Sequence, residues 1–452
     1  MTTMNNHEFI KRDLACLWHP CTQMKDHEAY PPIPIRRANG VWLEDLDGKR
    51  YLDAISSWWV NLFGHANPRI NAALREQLER LEHVLLAGFS HEPAVELAER
   101  LVDLTPEGLV RCFYADNGSS AIEVALKMSY HYWRNQGKES RTRFINLSNS
   151  YHGETLGALS VGDVSLYRET YGPLLLEPIT VSSPDDYLRP RDETPDDYLK
   201  RRCDEMEAAL DQHAGTVCAV IVEPLVQCAG SMRMYDPAYL TWLRQACDRH
   251  NVHLIADEIA VGFGRTGTMF ACEQAGIAPD LLCLSKGLTG GYLPLAVTLC
   301  TDRIYQAFYD DYGTLRAFLH SHSYTGNPLG CSAALATLDI FSEDNVIERN
   351  RGLSQVMETA VAGLADHPHI ADIRQHGMIL AMEMVADKSA RRPYPWQERR
   401  GQRVYRHGLE HGMLLRPLGD VVYFMPPYII DTEEIRLLAQ VAAEGIDIAT
   451  QD

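Results

Sequence analysis

A chain of 452 residues is too long for one minimal domain; at about 150 residues per domain, two or three domains, or one large and one small, are expected. Its 46% hydrophobic and 23% charged residues are those of an ordinary globular protein, and a formal net charge of -19 opposes nucleic acid or an anionic membrane as partner. No apolar run approaches the roughly 20 residues that span a bilayer, no signal peptide is visible, and the eleven scattered cysteines form no CxxC pair, so reduced thiols in a cytoplasmic protein are expected.

Residues 1–65 read as an irregular arm and a small sheet. The prolines within 30–34 cannot sit inside a helix, and 41–57 read as a hairpin around an Asp47-Gly48 turn. The run SSWW, residues 56–59, is expected in a loop, with Trp58 and Trp59 filling core or interface on the plain reading. Residues 67–84 open on Asn-Pro and keep a helical period, and 91–104 form another helix. Residues 111–133 read as strand, small polar turn at 117–120, then helix. Such a turn offers free N–H groups and a helix dipole to an anion, although Ser suits an N-cap equally well. Residues 143–162 read as strand, loop and small-residue helix, with Tyr151 at the strand end. There it covers a flat ring or is buried with its hydroxyl satisfied. PDDYL occurs at 184–188 and again at 195–199, in what reads as an acidic, solvated surface excursion rather than a repeat. Residues 217–225 form a buried strand ending in Glu223-Pro224, and 237–251 a helix.

Residues 253–291 carry the strongest signal. One apolar run leads into Asp257 and Glu258, and a second leads into Lys286, with Gly287, Gly290 and Gly291 behind it. In an open parallel sheet, ligands lie beyond the carboxyl ends of the strands. A lysine placed there suits Schiff-base chemistry. A further strand at 294–301 completes an alternation of strands and helices that predicts an α/β fold with a mostly parallel sheet. Residues 320–341 are a polar loop opening a helix, and 342–452 change to an α+β pattern that includes a basic, proline-containing loop at 390–403. The expected division is 1–65 as N-terminal arm and part of a small domain, 66–330 as a large cofactor-binding domain, and 331–452 as the C-terminal small domain. No metal site is expected.

Four of these features suit one cofactor. Lys286 can accept an aldehyde, Asp257 can hold a protonated ring nitrogen, Gly118 and Ser119 can hold a phosphate, and Tyr151 can cover a ring. Pyridoxal 5'-phosphate needs each of these. Any one has a bland explanation; their coincidence in chain order carries the reading.

The stretches IADEIAVGFGRTG and LSKGLTGG place Lys286 29 residues after Asp257 (286 − 257), and here the chain resembles the class III (fold-type I) aminotransferases. The resemblance extends over nearly the whole chain, through LWHPCTQM, SSWW, FYADNGSSAIEVALKM, YHGETLGA, VEPLVQCAGSM, HSYTGNPLG and LLRPLGDVVYFMPPY. SSWW and RPLGDVVYFMPPY are most like the branch of the class that serves biotin synthesis. That likeness implies a large domain with a mostly parallel sheet flanked by helices, plus a smaller α+β domain. It implies Lys286, Asp257 and Tyr151 as catalytic residues, with Gly118, Ser119, Tyr151, Asp257, Lys286 and Ser323 holding the cofactor. Trp58, Trp59, Tyr151, Ser321 and Arg416 are implied at the substrate. A homodimer with shared active sites follows, Ser323 reaching the phosphate of the neighbouring subunit. The implied substrates are S-adenosylmethionine as amino donor, or lysine as in some relatives, and 8-amino-7-oxononanoate as acceptor. Three places depart from the family pattern: Cys21 for a tyrosine, Glu154 for an aspartate, and HSHSYTGN for HGPTFMGN, where Ser323 takes a threonine's role and His322 a proline's place. The alternatives weighed are an ω-amino acid or diamine:pyruvate aminotransferase, an aminomutase or decarboxylase on the same fold, and a regulator with a degenerate enzyme domain. The last would need a basic DNA-binding segment, which the first 65 residues lack.

Overall fold

The computed structural model describes residues 4–451. Its central sheet has seven strands in the spatial order Leu109–Ala115, Ala296–Thr301, Leu281–Leu284, His253–Asp257, Val217–Val222, Arg143–Leu147 and Ile179–Val181. Ala296–Thr301 is antiparallel to both its neighbours, and the pairings from Leu281–Leu284 onward are parallel. The middle strands are buried along their whole length, as parallel strands covered on both faces must be. Val220 and Val222 pack with Met206 and Leu210 of the Pro195–Gln212 helix and Leu240 and Leu243 of the Pro237–His250 helix. On the opposite face Ala219 and Ile221 pack with Ile122 and Ala125 of Gly118–Asn135. The sheet therefore forms the middle layer, and its six strands other than Ala296–Thr301 point their carboxyl ends at one crevice.

Beside a two-stranded ribbon of Val226–Gln227 and Arg233–Met234, the described residues build two smaller sheets. Ile35–Asn39, Trp42–Asp45 and Arg50–Asp53 form a meander, and Met413–Leu414 adds to it parallel to Arg50–Asp53. Ile370–His376, Ile379–Met384 and Val421–Phe424 form the other. The N-terminal strands thus share a sheet with the far end of the chain. The Pro328–Glu343 helix packs against the helices Pro68–Leu78 and Glu92–Leu104.

Several local expectations are corrected. Asn6–Cys16, expected irregular, is a helix capped by the Asn5 side chain; none of its residues is buried, so it has no apolar stripe to betray it. The helix opening at Pro68 stops at Leu78. The second PDDYL is not surface loop: Pro195 starts a helix whose N-cap is Thr194, and Tyr198 is buried. The first PDDYL makes a short turn capped by a buried Asp185. Helix Arg400–Glu410 begins inside the stretch expected to be a basic loop.

The largest departure is SSWW. Ser56, Ser57, Trp58 and Trp59 have φ of 51°, 47°, 72° and 74°. They form one turn of left-handed helix built from four L-residues, a conformation that costs about 1–2 kcal/mol per residue. Asp53 holds it: its fully buried carboxylate accepts from Ser57 N–H at 2.9 Å, Ser57 Oγ–H at 2.7 Å, Ile55 N–H at 3.3 Å and His65 Nε2–H at 3.0 Å. From the other side, the buried Arg265 guanidinium donates to the carbonyls of Trp59, Asn61, Met425 and Pro426. Burial lowers the Arg265 pKa; the four carbonyls stand where a counter-ion otherwise would.

Candidate active site

A cavity of about 680 Å³ opens at the carboxyl ends of the strands and is lined by Trp58, Trp59, Gly118, Ser119, Tyr151, Glu223, Asp257 and Lys286, among others. Gly118, Tyr151, Glu223, Asp257 and Lys286 stand at or just beyond strand ends of the central sheet, and Trp58 and Trp59 come from the left-handed turn. Lys286 follows Leu281–Leu284, with φ 45°, and starts a short turn whose Gly287 lies against Leu62 and Phe263, where a Cβ would come within 3.1 Å of Leu62 Cδ1. Its Nζ stands 4.9 Å from the Trp59 ring centroid and forms no ion pair among the described residues. Burial lowers the Lys286 pKa, against an opposing pull from Asp257, Cys228 and Glu223. A lysine so placed is poised to be a neutral amine.

Asp257 ends its strand 5% exposed. Its Oδ2 accepts from His152 Nδ1–H at 2.7 Å and its Oδ1 from Ile259 N–H at 3.1 Å. The other ring nitrogen of His152 is buried without a partner. Beside them, Glu223 accepts from Tyr151 N–H at 3.0 Å and Cys228 N–H at 3.2 Å. Burial pushes the Glu223 carboxyl up to about 7, with His152 pulling down and Asp257 pushing further up.

The wall opposite is the N-terminus of Gly118–Asn135. The Asn117 side chain takes the Ser120 N–H at 3.0 Å and its carbonyl takes the Ala121 N–H at 3.0 Å. The N–H groups of Gly118 and Ser119 are left as the helix's free donors. Close packing shapes this cradle. A Cβ at Gly118 would stand 3.0 Å from two Ile259 methyl carbons, and one at Gly153 (φ 119°) would stand 2.5 Å from Ser119 Oγ. Ser119 Oγ is paired with Thr155 Oγ1 at 2.8 Å and accepts the Thr155 N–H at 3.0 Å, so the hydroxyl braces the loop after Tyr151.

At the mouth, Glu154 Oε1 accepts from the Tyr151 and Tyr167 hydroxyls, both at 3.0 Å, and Cys21 Sγ stands 3.5 Å from the same oxygen. Two of the three departures from the family pattern, Cys21 and Glu154, thus touch each other. The Arg416 guanidinium lies 4.5 Å from the Trp58 ring centroid at the rim, and Trp58 is 40% exposed. Trp59 is buried, donating Nε1–H to the Tyr423 hydroxyl at 3.0 Å.

The fold thus brings Lys286, Asp257, Tyr151, Gly118, Ser119, Trp58 and Trp59 to one cavity, with Arg416 on Trp58. It does not bring Ser321 and Ser323 there: both are exposed on a loop, outside the cavity lining of their own chain. Sequence reasoning gave no site role to His152, Glu223 and Tyr167. His152 stands next to Tyr151 and Glu223 ends its strand, a position that was the available signal; Tyr167 had none, since its helix, Ser165–Tyr171, has no buried residue.

A family model described as aminotransferase class-III matches residues 23–444. Adenosylmethionine-8-amino-7-oxononanoate aminotransferase of Helicobacter pylori is 48% identical, covering 96% of this chain and 97% of that protein. The crystal structure of the enzyme of the same name from Methanocaldococcus jannaschii superposes with a TM-score of 0.93 at 38% identity, covering 99% of this chain and 100% of that one. An amine transaminase from an uncultivated Pseudomonas species, solved in its PLP-bound form, superposes with a TM-score of 0.91 at 32% identity, covering 96% of this chain and 98% of that one. With the strand-end lysine and aspartate facing one crevice, these likenesses establish that the chain belongs to the class-III aminotransferases.

Proposed function

We propose that the protein transfers an amino group from S-adenosylmethionine to 8-amino-7-oxononanoate, giving 7,8-diaminononanoate for biotin synthesis, with pyridoxal 5'-phosphate as cofactor. The observation that carries the chemistry is the juxtaposition of a partly buried Lys286, with its pKa lowered, and the His152-braced Asp257 at the ends of neighbouring strands. The substrate assignment rests on 48% identity over 96% of the chain to a relative of that name. Fold alone does not discriminate, since an amine transaminase superposes almost as well.

The residues fit the cofactor. The free N–H pair at Gly118 and Ser119 suits a phosphate, and a carboxylate at the cavity floor suits a protonated ring nitrogen. When bound, pyridoxal 5'-phosphate supplies an aldehyde that takes up the amino group and a ring that spreads the negative charge left as the donor carbon loses its proton. Asp257 would hold the ring nitrogen's proton, and His152 Nδ1–H keeps that carboxylate oriented. Tyr151, its backbone tied to Glu223 and its hydroxyl to Glu154, would cover the ring. Lys286, its neutral amine favoured by burial, would take the proton from the donor carbon as general base in the first half-reaction and deliver one to the acceptor carbon as general acid in the second. Trp58 and Trp59 offer an apolar wall for a fatty chain, and Arg416 a guanidinium fork for either substrate's carboxylate.

The active form is proposed as a homodimer with shared sites, Ser321 and Ser323 serving the neighbouring cavity. Their exposure supports this, on a loop that also exposes Tyr312, Leu315, Leu319 and Tyr324. Two domains are proposed: residues 66–330 with the rest of the Pro328–Glu343 helix, which packs on that unit, and the C-terminal remainder joined by 1–65. A cytoplasmic setting is supported by eleven free cysteines. Among the described residues no helix is long and apolar enough to cross a membrane.

The test mixes the cofactor-loaded protein separately with S-adenosylmethionine, lysine and alanine and follows the visible absorbance of the bound cofactor. S-adenosylmethionine should bleach it, and 8-amino-7-oxononanoate should restore it. Bleaching by alanine alone would sink the biotin assignment in favour of a general amine transaminase.

A further inference from the structure

Away from the cavity, helices Arg400–Glu410 and Thr432–Thr450 cross closely. Gly445 permits the approach: a Cβ there would stand 3.1 Å from Val404 Cγ1 and 3.3 Å from His407 Cδ2. His407 and His411 are spaced i, i+4, which puts both rings on one face of a helical turn. Their ring centroids lie 4.1 Å apart. A ligand atom from each and an oxygen of Glu444, on the crossing helix, all lie within 4.8 Å of one another. The sequence reading expects no metal and assigns these residues nothing, although the HxxxH spacing is there in RHGLEHG.

The other hydrogen bonds around the cluster leave one atom of each residue able to face an ion. His411 Nδ1–H donates to the His407 carbonyl at 2.9 Å, which fixes the tautomer and leaves the Nε2 lone pair available. Gln440 Nε2–H donates to Glu444 Oε1 at 2.9 Å, which leaves Oε2. His407, 9% exposed, has its Nε2 buried without a hydrogen bond, although Glu444 Oε2 is 3.4 Å away. Two ligands bound about 2.1 Å from a tetrahedral ion lie about 3.4 Å apart.

We propose that His407, His411 and Glu444 form a binding site for a divalent transition cation of the zinc class, with water completing the coordination. Two imidazoles and one carboxylate are the donor set of such an ion; calcium and magnesium call for oxygen ligands throughout. An ordinary His407–Glu444 ion pair accounts for two of the three groups and gives His411 no part. The ion would tie the end of one helix to its neighbour just before the chain runs into Met413–Leu414 and Arg416. The site is thus a structural clamp behind the rim of the cavity.

The experiment strips the cofactor-loaded protein with a chelator, then titrates Zn²⁺ against a chromophoric competitor and follows thermal melting. One equivalent per chain should bind with about micromolar affinity or tighter and raise the melting temperature. His411→Ala and Glu444→Gln should each weaken binding at least about tenfold and abolish the rise. His411 is exposed and Glu444 half-buried, so both variants keep the fold. His369→Ala, in the separate His367/His369 pair, should bind as the parent does. Absence of saturable zinc binding overturns the proposal. So does parental affinity in both ligand variants, or a loss in His369→Ala equal to theirs.

Discussion

Replacing Asp53 by alanine should rearrange the tryptophan turn rather than unfold the chain. Four left-handed L-residues at about 1–2 kcal/mol each store roughly 4–8 kcal/mol. Four hydrogen bonds to a buried carboxylate, at about 1.5 kcal/mol or more each, offset about 6 kcal/mol of it. With the carboxylate gone, that offset is lost. Ser57 is exposed, so its N–H and hydroxyl can turn to water, and the turn is free to relax toward ordinary backbone. Trp58, which carries Arg416, and Trp59, which lies under Lys286, would then leave the cavity wall. Steady-state kinetics with 8-amino-7-oxononanoate should show KM raised at least about tenfold, the equivalent of 1.4 kcal/mol, while affinity for the cofactor phosphate at Gly118 and Ser119 stays near parental. Adding Ser57→Gly in the same chain should recover part of the loss, because glycine adopts positive φ without penalty. About 1–2 kcal/mol of relieved strain corresponds to roughly fivefold to thirtyfold in KM. Parental KM in Asp53→Ala, or a Ser57→Gly addition that worsens it, would refute the account of the turn.

Lys286→Ala should reduce amine transfer by about four orders of magnitude in both half-reactions with the protein still folded; appreciable turnover would remove lysine from the proton-transfer role. Arg416→Ala should raise KM for the carboxylate substrates about thirtyfold or more, the loss of a charge-assisted fork of roughly 2–3 kcal/mol, with a smaller effect on kcat; an unchanged KM would place the carboxylate elsewhere. Glu223 also makes a pH prediction. Its carboxyl is raised from 4.5 to about 7 by burial, so its stabilising contribution is full below pH 4.5 and is lost as pH rises through 7. The loss is worth about 3 kcal/mol. Melting of the cofactor-free protein should therefore fall across that window, and Glu223→Gln should flatten the fall, leaving the share of Glu258, likewise raised to about 7; identical profiles would show that Glu223 titrates normally. Mixing Lys286→Ala with Ser323→Ala chains should yield hybrid dimers with one intact site and more activity than either parent dimer, whereas no recovery would place Ser323 outside the neighbouring site.

Strand existence and type were legible because the middle strands are buried on both faces and read as unbroken apolar runs, with Asp257 and Lys286 as the abrupt polar endings. The small polar turn before a helix was legible at 117–120, and Asn117 does cap that helix. The SSWW turn was not. No propensity predicts left-handed helix from Ser and Trp, and what enforces it comes from Asp53, three residues before Ser56, and from Arg265 and the carbonyls of Met425 and Pro426, far along the chain. The mouth cluster was hidden for the same reason: Cys21, Glu154 and Tyr167 are separated by up to 146 residues and meet only in space.

The sequence by itself determined the periodicities, the caps and the order in which chemical groups reach the strand ends, because those depend on neighbours a few residues apart. Tertiary structure alone decided which groups are buried together. Desolvation and long-range packing lower the pKa of Lys286, raise that of Glu223, aim His152 at Asp257 and bring His407 and His411 up to Glu444.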